Sequence, residues 1–295
     1  MSILIIPAAS RTNTFVIEAL LSSPHSSSVP LKLLAHTPAS QARLQSAYKD
    51  HANVSVIAGD FTDRAALDAA MHGVRAIFYN APVMAGEVQA GKGVVDAAVA
   101  ARVERFVYCS VLHPYISQLV HHRNKLEVEE YLFESDLNYT ILQPTHLMQN
   151  IAVAQIATSG RLTIPYAPAI PHGFLDLADL GVVAAAALLA PATHSRARYE
   201  LVGENATYAD VARALSAAAG KEVEVEVSDK DTALQGMRDK GIVRDDYGRD
   251  ALGRMMKYYD ERGLPGNTNI LRWLLGREPT SLKAYIAEEL SAVKQ

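Results

Sequence analysis

The sequence predicts an α/β protein: a doubly wound parallel sheet with a smaller mixed α/β lobe toward the C-terminus. Three observations carry this expectation. Six short apolar runs are continuous rather than alternating, as in strands buried on both faces. Longer stretches of helical periodicity separate them. Beyond Pro144 the rhythm breaks into Pro- and Gly-rich sequence with only short strands. Strand–helix alternation implies right-handed crossovers and helices on both faces of one sheet.

The strand candidates are ILII (3–6), LKLLAH (31–36), VSVIAG (54–59), RAIFYNA (75–81), RFVYCS (105–110) and YTILQP (139–144). TFVIEALLS follows the first strand as a helix. FTDRAALDAAMHG opens at an N-cap, Thr62 or Asp63, and closes on Gly73. GKGVVDAAVAARV places Val94, Val95, Ala98 and Val99 on one face, and NKLEVEEYLFESD carries Leu126, Val128, Tyr131 and Leu132. After Pro144, ARYELVG and EVEVEVS read as strands. TYADVARALSAAAG between them reads as a helix capped by Thr207 and ended by Gly220. DYGRDALGRMMKYYDERGLPG and TSLKAYIAEELSAV are helical, and SSPHSSSVP is a surface loop.

Composition narrows the class. With 295 residues, 49% hydrophobic and 20% charged, the chain reads as a soluble globular protein. A net charge of -4 offers nothing to nucleic acid or an anionic membrane. A single cysteine, Cys109, excludes an internal disulfide and thiolate zinc sites. No basic leader precedes the first strand, and the longest apolar runs are too short to span a bilayer. A cytoplasmic protein acting on a small molecule is expected, with room for a homodimer or a regulatory protein partner. In open parallel sheets ligands lie at the carboxyl ends of the strands. That rule selects the turn after Ile6, His36–Thr37, 60–61, 80–82, 110–113 and 143–146.

GDFTDRAALDAAMHGVRAIFY, GVVDAAVAARVERFVYCSVLHP, NKLEVEEYLFESDLNYTILQPTHLMQN, FLDLADLG and YELVGENATYADVARALS occur in that order. Together they make the chain resemble the NmrA-like group of atypical short-chain dehydrogenases/reductases. The resemblance implies an NAD(P)-binding Rossmann-like domain over 1–150. It also implies a substrate lobe over 151–295, interleaved with the core sheet so that the whole is effectively one compact unit. Members include NAD(P)H-dependent reductases, redox-sensing regulators that bind the nucleotide without clear turnover, and tailoring enzymes of secondary metabolism.

The family's phosphate turn is G-x-x-G-x-x-G; here the three glycine positions hold Pro7, Ser10 and Asn13. Pro7 offers no N–H, and Asn13 tolerates left-handed backbone better than most residues. Ser10 and Thr12 offer hydroxyls and Arg11 a guanidinium, at a helix start that already favours an anion. The plainer reading is a capped turn, with Ser10 as the cap and Arg11 solvated. His36 ends the second strand where an NAD-preferring site would hold an acid, so NADP(H) is favoured over NAD(H). Arg11, His36 and Arg43 are candidates near a 2′-phosphate. Asp60 and Phe61 fall where the family contacts adenine, although Asp60 equally suits a helix-entry turn. Asn80, Ala81 and Gln143 complete the cofactor set.

Typical members of the wider superfamily use Ser, Tyr and Lys, the last two as Y-x-x-x-K. Ser110 and Lys125 match, but His121 stands in place of the tyrosine. One helical turn relates His121 to Lys125, with His122 beside it, and an imidazole can move a proton near neutral pH. The alternative for HHRN is a solvated helix start. His113 is read as a turn residue or a substrate contact. Thr145, His146, Met148, Asn150 and Phe174 are candidate substrate residues. Met148 is equally a packing residue, and Tyr258 and Tyr259 read better as helix core. No acid accompanies the histidines at ligand spacing, so no metal is expected. The functions to separate are an NADPH-dependent reductase of a carbonyl, imine or alkene; a repurposed non-redox catalyst of the cyclase, isomerase or dehydratase type; and a regulator that binds NADP(H) without turnover.

Overall fold

The structure, a computed structural model, describes residues 2–24 and 29–293, so the serine-rich loop expected over 22–30 lies partly outside the described residues. The chain divides into two compact units. Met1–Pro114, Asn124–Gln143 and Leu180–Tyr199 form the first, and Tyr115–Arg123, Pro144–Asp179 and Glu200–Gln295 the second.

In chain order the strands are β1 (Ile3–Ile6), β2 (Leu31–Ala35), β3 (Val54–Ala58), β4 (Ala76–Tyr79), β5 (Arg105–Cys109), β6 (Tyr139–Pro144), β7 (His146–Leu147), β8 (Arg161–Ile164), β9 (Pro171–Leu175), β10 (Ala197–Leu201), β11 (Glu204–Thr207) and β12 (Glu224–Val227). Seven of them form the sheet of the first unit, in the order β10-β6-β5-β4-β1-β2-β3. From β6 to β3 every neighbour is parallel. The order reverses beside β1, so the carboxyl ends of β1 and β4 flank the switch point where such sheets bind ligands. This is the Rossmann-like α/β fold.

All four residues of β1 and β4 and all five of β5 are buried. Each large aliphatic side chain so buried contributes roughly 1.5–3 kcal/mol, which is why these runs need no alternation. β3 departs from that pattern: as the edge strand it is only half-buried. Helices Arg11–Ser22, Arg64–Met71, Glu87–Ala100 and Val120–Phe133 cover the sheet. The last starts four residues before the predicted stretch, so HHRN lies inside it. Helix Pro38–Ala47 buries Leu44 alone, so it carries no apolar stripe to read from sequence.

Two glycines set helix contacts in this unit. A Cβ on Gly181 would stand 2.5 Å from the Phe15 carbonyl oxygen, so the helix Leu177–Leu189 approaches the first helix as only glycine permits. A Cβ on Gly91 would stand 2.6 Å from a Val128 methyl.

In the second unit β7 runs parallel and β11 antiparallel to β9, and β8 pairs in parallel with β12. Met148, Ile156, Leu162, Val211, Leu215 and Ile286 lie at the centre of its core. The helix Tyr208–Ala219 is bounded as its sequence reads, by a Thr207–Asp210 capping box and by Gly220 at φ 69°. Among the described residues, no helix is long and apolar enough to cross a membrane.

Candidate functional site

The turn after β1 shows why glycine is dispensable here. No residue from 7 to 13 has a positive φ, so the backbone never enters the region that glycine serves. Asn13 is helical rather than left-handed, and it works through its side chain. Fully buried, it donates from Nδ2 to the Pro7 carbonyl at 2.7 Å and accepts from Asn80 Nδ2 at 3.2 Å. One amide thus ties the end of β1 to the end of β4. Ser10 is the N-cap, its Oγ turned back on to the Asn13 N–H at 3.2 Å. Thr14 donates to the Ser10 carbonyl from its N–H at 3.1 Å and from its hydroxyl at 3.2 Å. Arg11 is exposed at the helix start. Arg43 donates to the Ala9 carbonyl at 2.6 Å and braces the loop from the neighbouring helix.

At the ends of β2 and β3, His36 Nδ1 lies 3.4 Å from Asp60, and its ring meets Phe61 with centroids 5.8 Å apart. Asp60 does not cap the following helix; Asp63 does, by accepting from the Ala65 N–H. Asp60 instead accepts from the N–H and the hydroxyl of Thr62, both at 2.8 Å. The Thr62 N–H, then its hydroxyl and His36, hold this carboxyl below its usual range. Phe61, Thr62, Leu67, Met84, Gln89 and Ala90 line a groove of about 400 Å³, within the roughly 300–1,000 Å³ of small-molecule sites.

The lysine is deeply placed. Lys125 is 2% exposed, and its Nζ donates to the Ala81 carbonyl at 3.0 Å and the Cys109 carbonyl at 3.3 Å. It also faces the buried Glu87 at 3.4 Å and sits 5.4 Å above the Tyr108 ring. The ends of β4 and β5 and the helix Glu87–Ala100 therefore converge on one ammonium. Burial pushes the Cys109 thiol up to about 11 and leaves it a packing residue.

One helical turn beyond Lys125 lies a buried carboxylate that sequence reading missed. Glu129 accepts from the Ser110 hydroxyl in a short hydrogen bond, and from Gln143 Nε2 at 2.8 and 3.1 Å on its two oxygens. Arg198 stands 3.8 Å away. Burial raises the Glu129 carboxyl, while Ser110, Gln143, Arg198 and Lys125 pull it back. The signal was present: Lys125, Glu129 and Leu132 share one helix face at i, i+4 and i+7.

In the second unit, the two histidines of HHRN are buried rather than solvated, although Arg123 beside them is exposed. His121 is 9% exposed and His122 is closed to solvent. His122 Nε2 is 2.8 Å from the Tyr259 hydroxyl. Tyr259, a core residue as its helix pattern suggests, also packs against His146 with centroids 4.9 Å apart. His146 meets His172 at 4.7 Å, nearly perpendicular, and Tyr166, Phe174 and Tyr208 complete the cluster. Both ring nitrogens of His146 and of His172 are buried without a hydrogen-bond partner. Burial lowers His146 to about 3, helped by His172 and His122 and opposed by the Gly173 backbone. Burial alone takes His172 to about 4. His172 was not singled out because PHGF reads as a Pro–Gly loop.

The remaining candidates scatter. Met148 is core. Thr145 donates to the Gly173 carbonyl at 3.2 Å. Asn150 is exposed, and Phe174 is buried between the core and the ring cluster. His113 takes φ 53°, left-handed backbone immediately before Pro114. Among the described residues no group of three or more His, Cys, Asp or Glu could hold a metal ion.

Comparison with known proteins follows the same lines. The model of the NmrA-like family matches residues 1–291. The NAD(P)H azoreductase of Xenophilus azovorans is 32% identical over 193 residues, covering 64% of this chain and 67% of its own. Quinone oxidoreductase 2 of Escherichia coli K12 is 26% identical over 298 residues, covering 95% of this chain and 96% of its own. Its crystal structure with NADPH superposes with a TM-score of 0.79 at 24% identity, over 100% of both chains. The negative transcriptional regulator NmrA, solved with NADP, has a TM-score of 0.78 at 18% identity, over 99% of this chain and 96% of its own. The solved structures share the fold; with the family match spanning nearly every residue, the chain belongs to the NmrA-like family.

Proposed function

We propose that this protein is an NADPH-dependent reductase of a small molecule bearing a reducible C=O, C=N, C=C or N=N bond, such as a quinone or an azo compound. The carrying observation is Lys125, held at the carboxyl ends of β4 and β5 by the Ala81 and Cys109 carbonyls. The first unit fits a dinucleotide. Ser10 turns its hydroxyl on to the Asn13 N–H, at the start of a helix whose dipole favours an anion. The groove beside Phe61 has room for a base. No acid ends β2 to repel a 2′-phosphate. In this reading the helix start, with Arg11 and Thr12, balances pyrophosphate charge. Lys125 holds the nicotinamide ribose, and Phe61 and Asn80 border the adenosine half. NADPH, when bound, supplies the hydride. His121 or His122, on the helix that carries Lys125, supplies the proton in this reading.

Titration with NADPH and NADH, followed by protein fluorescence, tests the reading; NADPH oxidation is then measured against a panel of quinones and azo dyes. Tighter binding of NADPH, weakened about tenfold in Arg11→Ala, supports it. Absence of binding at millimolar NADPH refutes it. A second reading, binding without turnover, is favoured by one feature. Lys125 Nζ already donates to two backbone carbonyls and faces the Glu87 carboxylate inside the protein. It predicts NADPH affinity with no oxidation across the panel.

A further inference from the structure

Ser110 and Gln143 stand side by side. β5 and β6 pair with Cys109 opposite Leu142, and the Ser110 N–H donates to the Leu142 carbonyl at 2.8 Å. Both side chains are therefore at the carboxyl edge of the sheet, and both turn to Glu129. The consequence is a matter of counting hydrogens. Serine has one hydroxyl proton, and Glu129 takes it. The Gln143 amide presents its nitrogen to both Glu129 oxygens. With Glu129 ionised, which burial opposes and the Ser110 and Gln143 hydrogen bonds favour, the amide's orientation is fixed, because a carboxylate has no proton to offer an amide oxygen. Ser110 Oγ keeps only lone pairs for a ligand, and Gln143 Oε1 points away from Glu129 as a second acceptor, with the second N–H of Gln143 beside it.

We infer that Glu129 is a positioning residue that presents Ser110 Oγ and Gln143 Oε1 as a pair of acceptors for an N–H donor, and takes the serine out of donating to a substrate oxygen. This rests on the NADPH reading, in which the donor of the right kind is the carboxamide NH2 of the nicotinamide. The serine would thus hold the cofactor ring by accepting from it, and would take no part in polarising a substrate carbonyl. Glu129 touches neither; it acts through the two side chains it orients.

The test compares equilibrium binding of NADPH with that of its 3-acetylpyridine analogue, in which a methyl ketone replaces the carboxamide. Adenosine 2′,5′-bisphosphate serves as a probe that lacks the nicotinamide. An acceptor pair left facing a methyl group loses its hydrogen bonds, so the parent protein should favour the carboxamide by about tenfold or more. In Glu129→Gln, residue 129 gains an N–H to donate, Ser110 and Gln143 are released to turn, and the preference should fall to within about twofold. The bisphosphate should bind Glu129→Gln as it binds the parent. Ser110→Ala should lose the preference in the same way, and decides the matter if Glu129→Gln does not fold. A parent protein that binds both dinucleotides equally overturns the inference and leaves the NADPH reading standing. So does a Glu129→Gln variant that binds the bisphosphate and retains the full preference. A parent protein that binds none of the three ligands overturns the NADPH reading, and this inference with it.

Discussion

Acidification should loosen the second unit through His146 and His172, and the size of the effect follows from their surroundings. Both rings are neutral in the fold, with buried, unpartnered nitrogens, and titrate near 3 and 4, against about 6.5 in an unfolded chain. The rings packed on them are Tyr166, Tyr208, Tyr259 and Phe174, and His122 acts on His146 electrostatically; none brings a negative charge at neutral pH. A histidine with a depressed folded value contributes its full stability above the unfolded value. That stability is lost as pH falls from about 6.5 toward the folded value, because the unfolded chain binds the proton first. At pH 5 the loss is about 2 kcal/mol for each ring, so roughly 4 kcal/mol for the pair relative to pH 7.5. This is a large share of the 5–15 kcal/mol typical of a folded domain. Urea unfolding at pH 7.5, 6 and 5, followed by circular dichroism, measures it. His172→Phe should halve the pair's part of the loss, to about 2 kcal/mol. Other titrating groups are common to both proteins, and any packing cost of the larger ring does not depend on pH. Equal losses in the parent and His172→Phe between pH 7.5 and 5 would refute the reasoning.

Other substitutions test the first unit. Gly181→Ala forces a Cβ to 2.5 Å from the Phe15 carbonyl and should cost about 1–3 kcal/mol, read as a lowered midpoint in thermal melts. Lys125→Met leaves Glu87 charged and buried without its cation, at a cost of about 3–5 kcal/mol. Lys125→Met/Glu87→Leu should recover much of that in denaturant titrations. Asn13→Gly restores the family residue but removes the hydrogen bonds to Pro7 and Asn80. It should destabilise by about 2–4 kcal/mol, which the same titrations would show.

The sheet was legible because strands buried on both faces leave a one-dimensional trace: four to six apolar residues, then a helix. Where burial was one-sided or slight, as at β3 and the helix Pro38–Ala47, the trace weakened. At the site, features that depend on local spacing alone were legible: Ser10 as a cap, and Lys125 one turn after His121 in one helix. Residues whose surroundings come from distant sequence were not. Glu129 looked like one more charge among Glu127, Glu130 and Glu134. Only the arrival of Ser110, Gln143 and Arg198 from other segments makes its burial tolerable. His172 acquires its character in the same way, from rings that lie up to 87 positions along the chain at Tyr259.

The glycine-free turn has one more consequence, and it concerns the chain before it folds. Glycine is costly to order because the unfolded chain explores so much with it. Replacing it where φ is already negative stabilises by roughly 0.4–1 kcal/mol for each position. Pro7, Ser10 and Asn13 all meet that condition, so together they restrict the unfolded ensemble by about 1–3 kcal/mol. A turn that relies on side chains instead of bare backbone is therefore partly ordered in advance, at the point where the first strand must reverse into the first helix.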